Sequence, residues 1–318
     1  MSQLPYLEKL RRAQAVNNSW LCLGLDPQPE LLPVEAIHKW DEPLLPFNRA
    51  IIDATADLVC AYKPNLGFYL QWGAAGVIAL ERTIAYIPDD IAIILDAKIG
   101  DIGHTQAAWG RGLFDEWDVD AVTVNPYVGA EAVRPLLARR PGKAVYVLAR
   151  TSNPGAQCFQ GDLTAGAGLA AEVLRSAGQW AGAGDGHCGF VVGATYPAEL
   201  AAARALAPTA NFLIPGIGAQ GGDLATAVAN GRDAVAGPVI NAGRSVLYAS
   251  AGLDFAAAAL VDARDRLRCA LHTVHRRWAV SLHVVVPEVR GAAFQRCNLV
   301  GADIHAALAP SRNIVIGD

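Results

Sequence analysis

The residues best suited to chemistry lie in one decapeptide, Asp96-Ala-Lys98-Ile-Gly-Asp101-Ile-Gly-His-Thr105, directly behind an apolar run at residues 91–95. A β-strand alternates its side chains with period two, so Asp96 and Lys98 project to one side of the strand's end, and Asp101 follows on the turn. Charges at the mouth of a buried strand are costly unless paired. Two carboxylates beside one amine keep that amine cationic. A fixed cation of this kind can stabilise developing negative charge and then deliver a proton. Isolated Asp-x-Lys patterns are common on protein surfaces, so the elements that position this one decide its meaning.

Those elements recur eight times. Short apolar runs occupy residues 21–26, 58–65, 91–98, 121–127, 144–151, 189–195, 211–217 and 234–241. Their interiors are apolar at consecutive positions rather than alternating ones, as in strands covered on both faces. Helix-like stretches fall between most of them, at residues 46–56, 105–116, 165–177, 197–205 and 222–230. Alternation of strand and helix implies parallel pairing through right-handed crossovers, and eight units point to a (β/α)8 TIM barrel of the α/β class. A doubly wound open sheet gives a similar pattern. However, the first strand ends in Leu25-Asp26-Pro27 rather than a G-x-G-x-x-G turn. Polar residues also gather where the strands end, where barrels place their active sites: Asp26, Lys63 with Asn65, Asp96 with Lys98, Asn125, Thr151 to Asn153, Thr195 and Arg244.

The last two strands carry a second kind of chemistry. Pro215-Gly-Ile-Gly-Ala-Gln220-Gly-Gly-Asp223 follows the seventh, and Asn241-Ala-Gly243-Arg244-Ser245 follows the eighth. Glycine-rich turns let backbone N–H groups approach an anion, the next helix offers its positive end, and an arginine can fork onto phosphate. Barrels usually bind phosphate at these two loops. The expected substrate is therefore a phosphate ester.

Taken in order, the motifs resemble one family. Leu21-Cys-Leu-Gly-Leu-Asp26-Pro27, Tyr62-Lys63-Pro-Asn-Leu-Gly-Phe-Tyr69, the Asp96–Asp101 motif, Thr123-Val-Asn-Pro-Tyr-Val-Gly129, Arg150-Thr-Ser-Asn-Pro-Gly155, the 215–223 loop and Gly243-Arg244 are similar to those of orotidine 5′-phosphate decarboxylases of the longer bacterial branch. The resemblance implies a homodimeric barrel that makes uridine 5′-phosphate (UMP) without metal or organic cofactor. It assigns Lys98 to protonation of C6, Asp96 to a place beside the scissile carboxylate, and Lys63 to ordering the charges. Asp101 would enter the neighbouring subunit's site, with Ile102 and Thr105 on the same crossing segment. Asp26 would bind ribose and Ser152 the pyrimidine, with Pro215, Gln220, Gly243 and Arg244 around the phosphate. The branch commonly carries a basic residue where this chain has Ile99, a position expected to point away from Lys98. His104 is expected to be a solvated residue at a helix start. Related barrels use a similar Asp-x-Lys-x-x-Asp set with magnesium to stabilise enediolates. The Thr-Ser-Asn-Pro-Gly segment and the leading Gly-Leu-Asp-Pro argue for the decarboxylase.

Bulk properties agree with an enzyme acting on a small molecule. The chain has 318 residues, 53% hydrophobic and 18% charged, with a net charge of −4. Nothing in that balance favours nucleic acid or an anionic membrane. No apolar stretch is long enough to span a bilayer, and the N-terminal residues are charged where a signal peptide is apolar. The six cysteines have no metal-like spacing. Cys22 and Cys60 read as small core residues, and a cytoplasmic location is expected. The barrel is expected to be a single domain over residues 1–280, closed by a helix near residues 254–277. Residues 281–318 have no place in the eightfold count and read as a C-terminal extension of unknown role.

Overall fold

A computed structural model describes residues 4–33, 42–182, 186–217, 221–232, 237–252 and 254–265. Eight parallel strands close into a barrel in sequence order. They are β1 (Leu21–Leu25), β2 (Ala61–Pro64), β3 (Ala92–Ile99), β4 (Ala121–Val124), β5 (Ala144–Arg150), β6 (His187–Val192), β7 (Phe212–Ile214) and β8 (Val239–Ala242). Pairing of Leu21 with Ile240 and Cys22 with Asn241 joins β1 to β8 and removes the sheet edges. β1, β2 and β4 are buried along their whole length, which is why their sequences lack alternation. Cys22 and Cys60 are fully buried among the core side chains, as expected.

Most strands leave the ladder earlier than the apolar runs suggest. β4 stops at Val124 and β7 at Ile214, so Asn125 and Pro215 belong to loops. Backbone released from the ladder can face a ligand instead of a neighbouring strand. The helices Leu44–Thr55, Pro197–Leu206 and Leu224–Gly231 lie close to their expected ranges. The expected 105–116 helix divides into Gly103–Gly110 and a wider π-helical turn at Arg111–Glu116. The helices Tyr6–Val16 and Gly73–Ile84 were not anticipated. Residues 255–265 are helical, which agrees with the start of the expected closing helix; residues 281–318 lie outside the described residues.

The two ends of the barrel are built differently. At the N-terminal end, Lys9 reaches Asp120 at 2.8 Å, and the same carboxylate oxygen accepts from the Ile93 amide at 2.8 Å. The Tyr6 and Tyr146 hydroxyls meet at 2.5 Å beside them. These buried polar groups are paired with one another, as a structural floor requires. At the C-terminal end the charged groups converge on open space.

Candidate active site

A cleft of about 400 Å³ opens at the C-terminal ends of the strands. Its wall includes Asp26, Lys63, Asp96, Lys98, Ser152, Pro215, Gly243 and Arg244, eight of the expected site residues. Asp96 is the hub. Its Oδ2 accepts from Lys63 Nζ at 2.9 Å and from Asn65 Nδ2 at 3.3 Å. Its Oδ1 accepts from Lys98 Nζ at 2.6 Å and from Thr123 Oγ1 at 2.9 Å. Burial alone would raise the Asp96 pKa, but the Lys63 and Lys98 charges outweigh it and hold the carboxyl well below the usual range. Burial likewise works against the Lys63 cation, yet Asp96 and then Asp26 keep its pKa above the ordinary value. The two lysines differ in access: the Lys63 side chain is 5% exposed and that of Lys98 49%. Lys63 is a fixed counter-charge, whereas Lys98 can meet a ligand.

The pairing of Asp96 with Lys98 depends on more than strand alternation. Lys98 has φ +47°, in the left-handed region unusual for a residue with a side chain. The β3–β4 register shifts between Leu95 and Ile99 at the same place. Thr123 Oγ1 holds this kink by accepting from the Lys98 amide at 2.9 Å while donating to Asp96. Backbone strain of this kind costs about 1–3 kcal/mol and persists only where the surroundings enforce it. From the sequence, Thr123 stands only as the first residue of one family-like motif, with no role of its own. Its signal was a lone hydroxyl in the otherwise aliphatic strand Ala121–Val124. Ile99 is buried in the core and away from the cleft, as expected, and His104 is exposed.

Asp26 is anchored from two sides. Tyr69 donates to the Leu25 carbonyl at 3.0 Å, and Tyr248 donates to the Asp26 carbonyl at 3.0 Å. Tyr248 also accepts from the Gln28 amide at 2.6 Å, tying the loop after β1 to the segment that follows Arg244. Burial raises the Asp26 pKa; Lys63 opposes the rise and Asp96 adds to it. Asp26 Oδ1 and Asn241 Oδ1 are buried without a hydrogen-bond partner among the described residues. A Cβ on Gly24 would lie 3.2 Å from Asp26 Oδ2 and 3.5 Å from Asn241 Oδ1, so this glycine leaves the room between them. Orphaned acceptors beside a cleft are suited to donors on a ligand.

At β7, Gly216 has φ +100° and its carbonyl accepts from the Gly222 amide at 2.9 Å, pinching the base of the glycine-rich loop. A Cβ on Gly222 would sit 2.6 Å from that carbonyl oxygen, which explains the glycine. At the start of the following helix, Asp223 Oδ1 accepts from the Thr226 amide at 2.8 Å and caps it, which answers one of the unpaired N–H groups of that end. The cation on this side of the cleft is Arg244, which has no counter-ion among the described residues. Gln220 lies outside the described residues.

Asp101, Ile102 and Thr105 do not line this cleft. Asp101 Oδ1 accepts from the Ile102 amide at 2.8 Å, and Ile102 is 55% exposed. Thr105 instead borders a shallow apolar groove with Ala108, Trp109, Leu113 and Trp117. Among the described residues, no group of three or more His, Cys, Asp or Glu side chains is arranged to hold a metal ion. No helix there is long and apolar enough to cross a membrane.

The geometry has clear relatives. The family model "Orotidine 5′-phosphate decarboxylase / HUMPS family" matches residues 19–259. The orotidine 5′-phosphate decarboxylase of Thermomicrobium roseum is 48% identical over 280 residues, covering 87% of this chain and 98% of that protein. That of Herpetosiphon aurantiacus is 45% identical over 260 residues, covering 80% and 93%. Among solved structures, Leishmania donovani OMP decarboxylase superposes with a TM-score of 0.69 at 33% identity, covering 84% of this chain and 99% of that one. The chain therefore belongs to the orotidine 5′-phosphate decarboxylase / HUMPS family.

Proposed function

We propose that this protein decarboxylates orotidine 5′-phosphate to UMP in pyrimidine synthesis. The observation that carries the reading is the Asp96 carboxylate held between Lys63 at 2.9 Å and Lys98 at 2.6 Å, in a cleft that Arg244 also lines. Breaking the bond between C6 and the carboxylate leaves an electron pair in the plane of the pyrimidine, where the ring π-system cannot delocalise it. The pair must be met by a positive charge already in place. Lys98 supplies that charge and then transfers one ammonium proton to C6, regaining a proton from solvent afterwards. Asp96 keeps Lys98 oriented, and Lys63 offsets the concentration of negative charge beneath the substrate carboxylate. Whether Asp96 also accelerates the step by repelling that carboxylate is a separate, ground-state effect.

Catalysed reactions gain ~8–23 kcal/mol, more than one lysine supplies. Binding energy from the phosphate must contribute, through Arg244 and Gly243 and the loop bearing Pro215 and Gln220. Ser152 faces the pyrimidine in this reading. Asp26 takes a ribose hydroxyl on its orphaned oxygen. The protein acts in the cytoplasm as a homodimer, with Asp101, Ile102 and Thr105 completing the partner's site. Their position away from their own cleft, next to exposed Ile102 and the Trp109 groove, supports that arrangement.

The alternative reading is the magnesium-assisted enediolate chemistry that related barrels perform through a similar Asp-x-Lys-x-x-Asp set. An absorbance assay with orotidine 5′-phosphate, run with and without a chelator, separates the two. Undiminished decarboxylation in chelator is expected. Complete loss in chelator, or no turnover of this substrate at all, would overturn the proposal.

A further inference from the structure

The side chain most at odds with its surroundings, outside the cleft, is Arg150. It ends β5, is 1% exposed, and is the largest fully buried side chain among the described residues. A guanidinium carries its charge at any ordinary pH, so burying one is costly unless every donor is answered. Here four hydrogen bonds and one aromatic face answer it. Nε and Nη2 fork onto the two oxygens of Glu199, the latter at 3.0 Å. Nη2 also donates to Gln157 Oε1 at 3.1 Å and Nη1 to the Thr151 carbonyl at 3.3 Å, while the guanidinium carbon lies 4.6 Å from the centre of the Tyr196 ring. Glu199 is the third residue of the helix Pro197–Leu206 that follows β6. The ion pair thus fastens the loop after β5 to the element after β6, from behind the cleft wall.

What it fastens is the segment facing the ligand. Thr151, Ser152 and Asn153 line the cleft, and none of Arg150, Glu199, Gln157 or Tyr196 does. The segment is held at each residue. The Thr151 amide donates to Gln160 Oε1 at 2.9 Å, Thr151 Oγ1 donates to Asn153 Oδ1 at 2.6 Å, and Thr195 Oγ1 donates to the Ser152 carbonyl at 3.3 Å. A Cβ on Gly193 would come within 3.0 Å of the Ser152 backbone, so the first residue after β6 presses directly on it. The β5–β6 register shifts between Leu148 and Arg150, which turns the chain out of the ladder at this point.

We infer that Arg150 and Glu199 are positioning residues that set the affinity for the pyrimidine ring by fixing the Thr151–Ser152–Asn153 segment, without touching substrate. The inference rests on the proposed placement of the ring against Ser152. A positioning role has a signature that a merely structural one lacks. Loosening the clamp weakens ligands that carry the base and spares those that carry only sugar and phosphate. A displacement of about 1 Å in a positioning group can cost on the order of 100-fold. A loosened rather than lost clamp is therefore expected to cost about tenfold.

The test is calorimetric titration of UMP and of ribose 5-phosphate into Glu199→Gln and Arg150→Lys, which keep polar partners, and into Gln157→Ala at the exposed end of the clamp. The first two should bind UMP about tenfold more weakly and ribose 5-phosphate within about twofold of the unmodified protein. Gln157→Ala should shift the same ratio by about two- to threefold, and stands in if the buried variants do not fold. Turnover at saturating substrate should fall less than kcat/KM. An unchanged ratio of the two affinities in every variant that folds overturns the inference, whatever happens to the melting temperature. If the unmodified protein itself does not bind UMP more tightly than ribose 5-phosphate, the proposed function falls and this inference with it.

Discussion

Replacing Asp96 by asparagine should destabilise the fold measurably, because this carboxylate is the direct counter-ion of a lysine that solvent hardly reaches. The substitution keeps the shape and removes the charge. Its amide can turn its NH2 toward Lys98 and Thr123, since the Lys98 side chain is 49% exposed and free to move into water. Lys63, whose side chain is 5% exposed, has no such escape. Breaking one partner out of a buried ion pair costs about 3–5 kcal/mol. Asp26 remains close enough to compensate in part, so the lower end, about 3 kcal/mol, is expected. For a domain of this size that corresponds to a fall in Tm of about 6–12 °C. Thermal melts followed by circular dichroism at pH 7 measure it. The pH dependence fixes the cause. The Asp96 pKa is depressed in the folded state, so its contribution is present above the unfolded value of about 4 and is lost as pH falls below it. The gap between the two proteins should stay constant from pH 8 to pH 5 and close in stronger acid. A variant as stable as its parent at pH 7 would refute the view that Asp96 holds Lys63 in place.

Asp26→Asn should act in the opposite direction. The Asp26 pKa is raised on folding, so its stabilising form is present below the unfolded value and is lost as pH rises through the folded one. At pH 7 the asparagine variant should be as stable as its parent or slightly more so, yet bind UMP at least about tenfold more weakly as ribose contacts are lost. Greater stability of the parent at pH 7 would count against a strained carboxylate. For the shared site, mixing inactive Lys98→Ala and Asp101→Ala subunits should restore activity, because one hybrid site regains both groups. No recovery after demonstrated subunit exchange would place Asp101 outside the partner's site.

The barrel was legible because strands buried on both faces write continuous apolar runs, and their ends collect the polar residues that have no place in a core. Lys98 shows where such reading stops. Alternation brings it to the correct side, but the positive φ that completes its approach to Asp96 comes from Thr123, which is distant in sequence. The ion pair of Arg150 with Glu199 spans a longer gap, 49 residues against 25, and leaves no local pattern. Asp223 carried a readable signal, a capping acid three residues before Thr226, which marks where the helix after β7 begins. The roles proposed for Asp101 and Thr105 involve a second chain, and no single-chain pattern encodes what a neighbour supplies.

The central claim is that Lys98 is the charge and proton source at C6. The most direct test is Lys98→Ala, assayed for carbon dioxide release from orotidine 5′-phosphate and, in parallel, for UMP binding by calorimetry. Loss of a positioned proton donor alone costs about 10²–10⁴-fold. With its electrostatic role removed as well, release should fall by at least about 10⁴-fold while UMP still binds within roughly tenfold of the parent. Carbon dioxide release persisting at a tenth or more of the parent rate, with binding intact, would contradict the account.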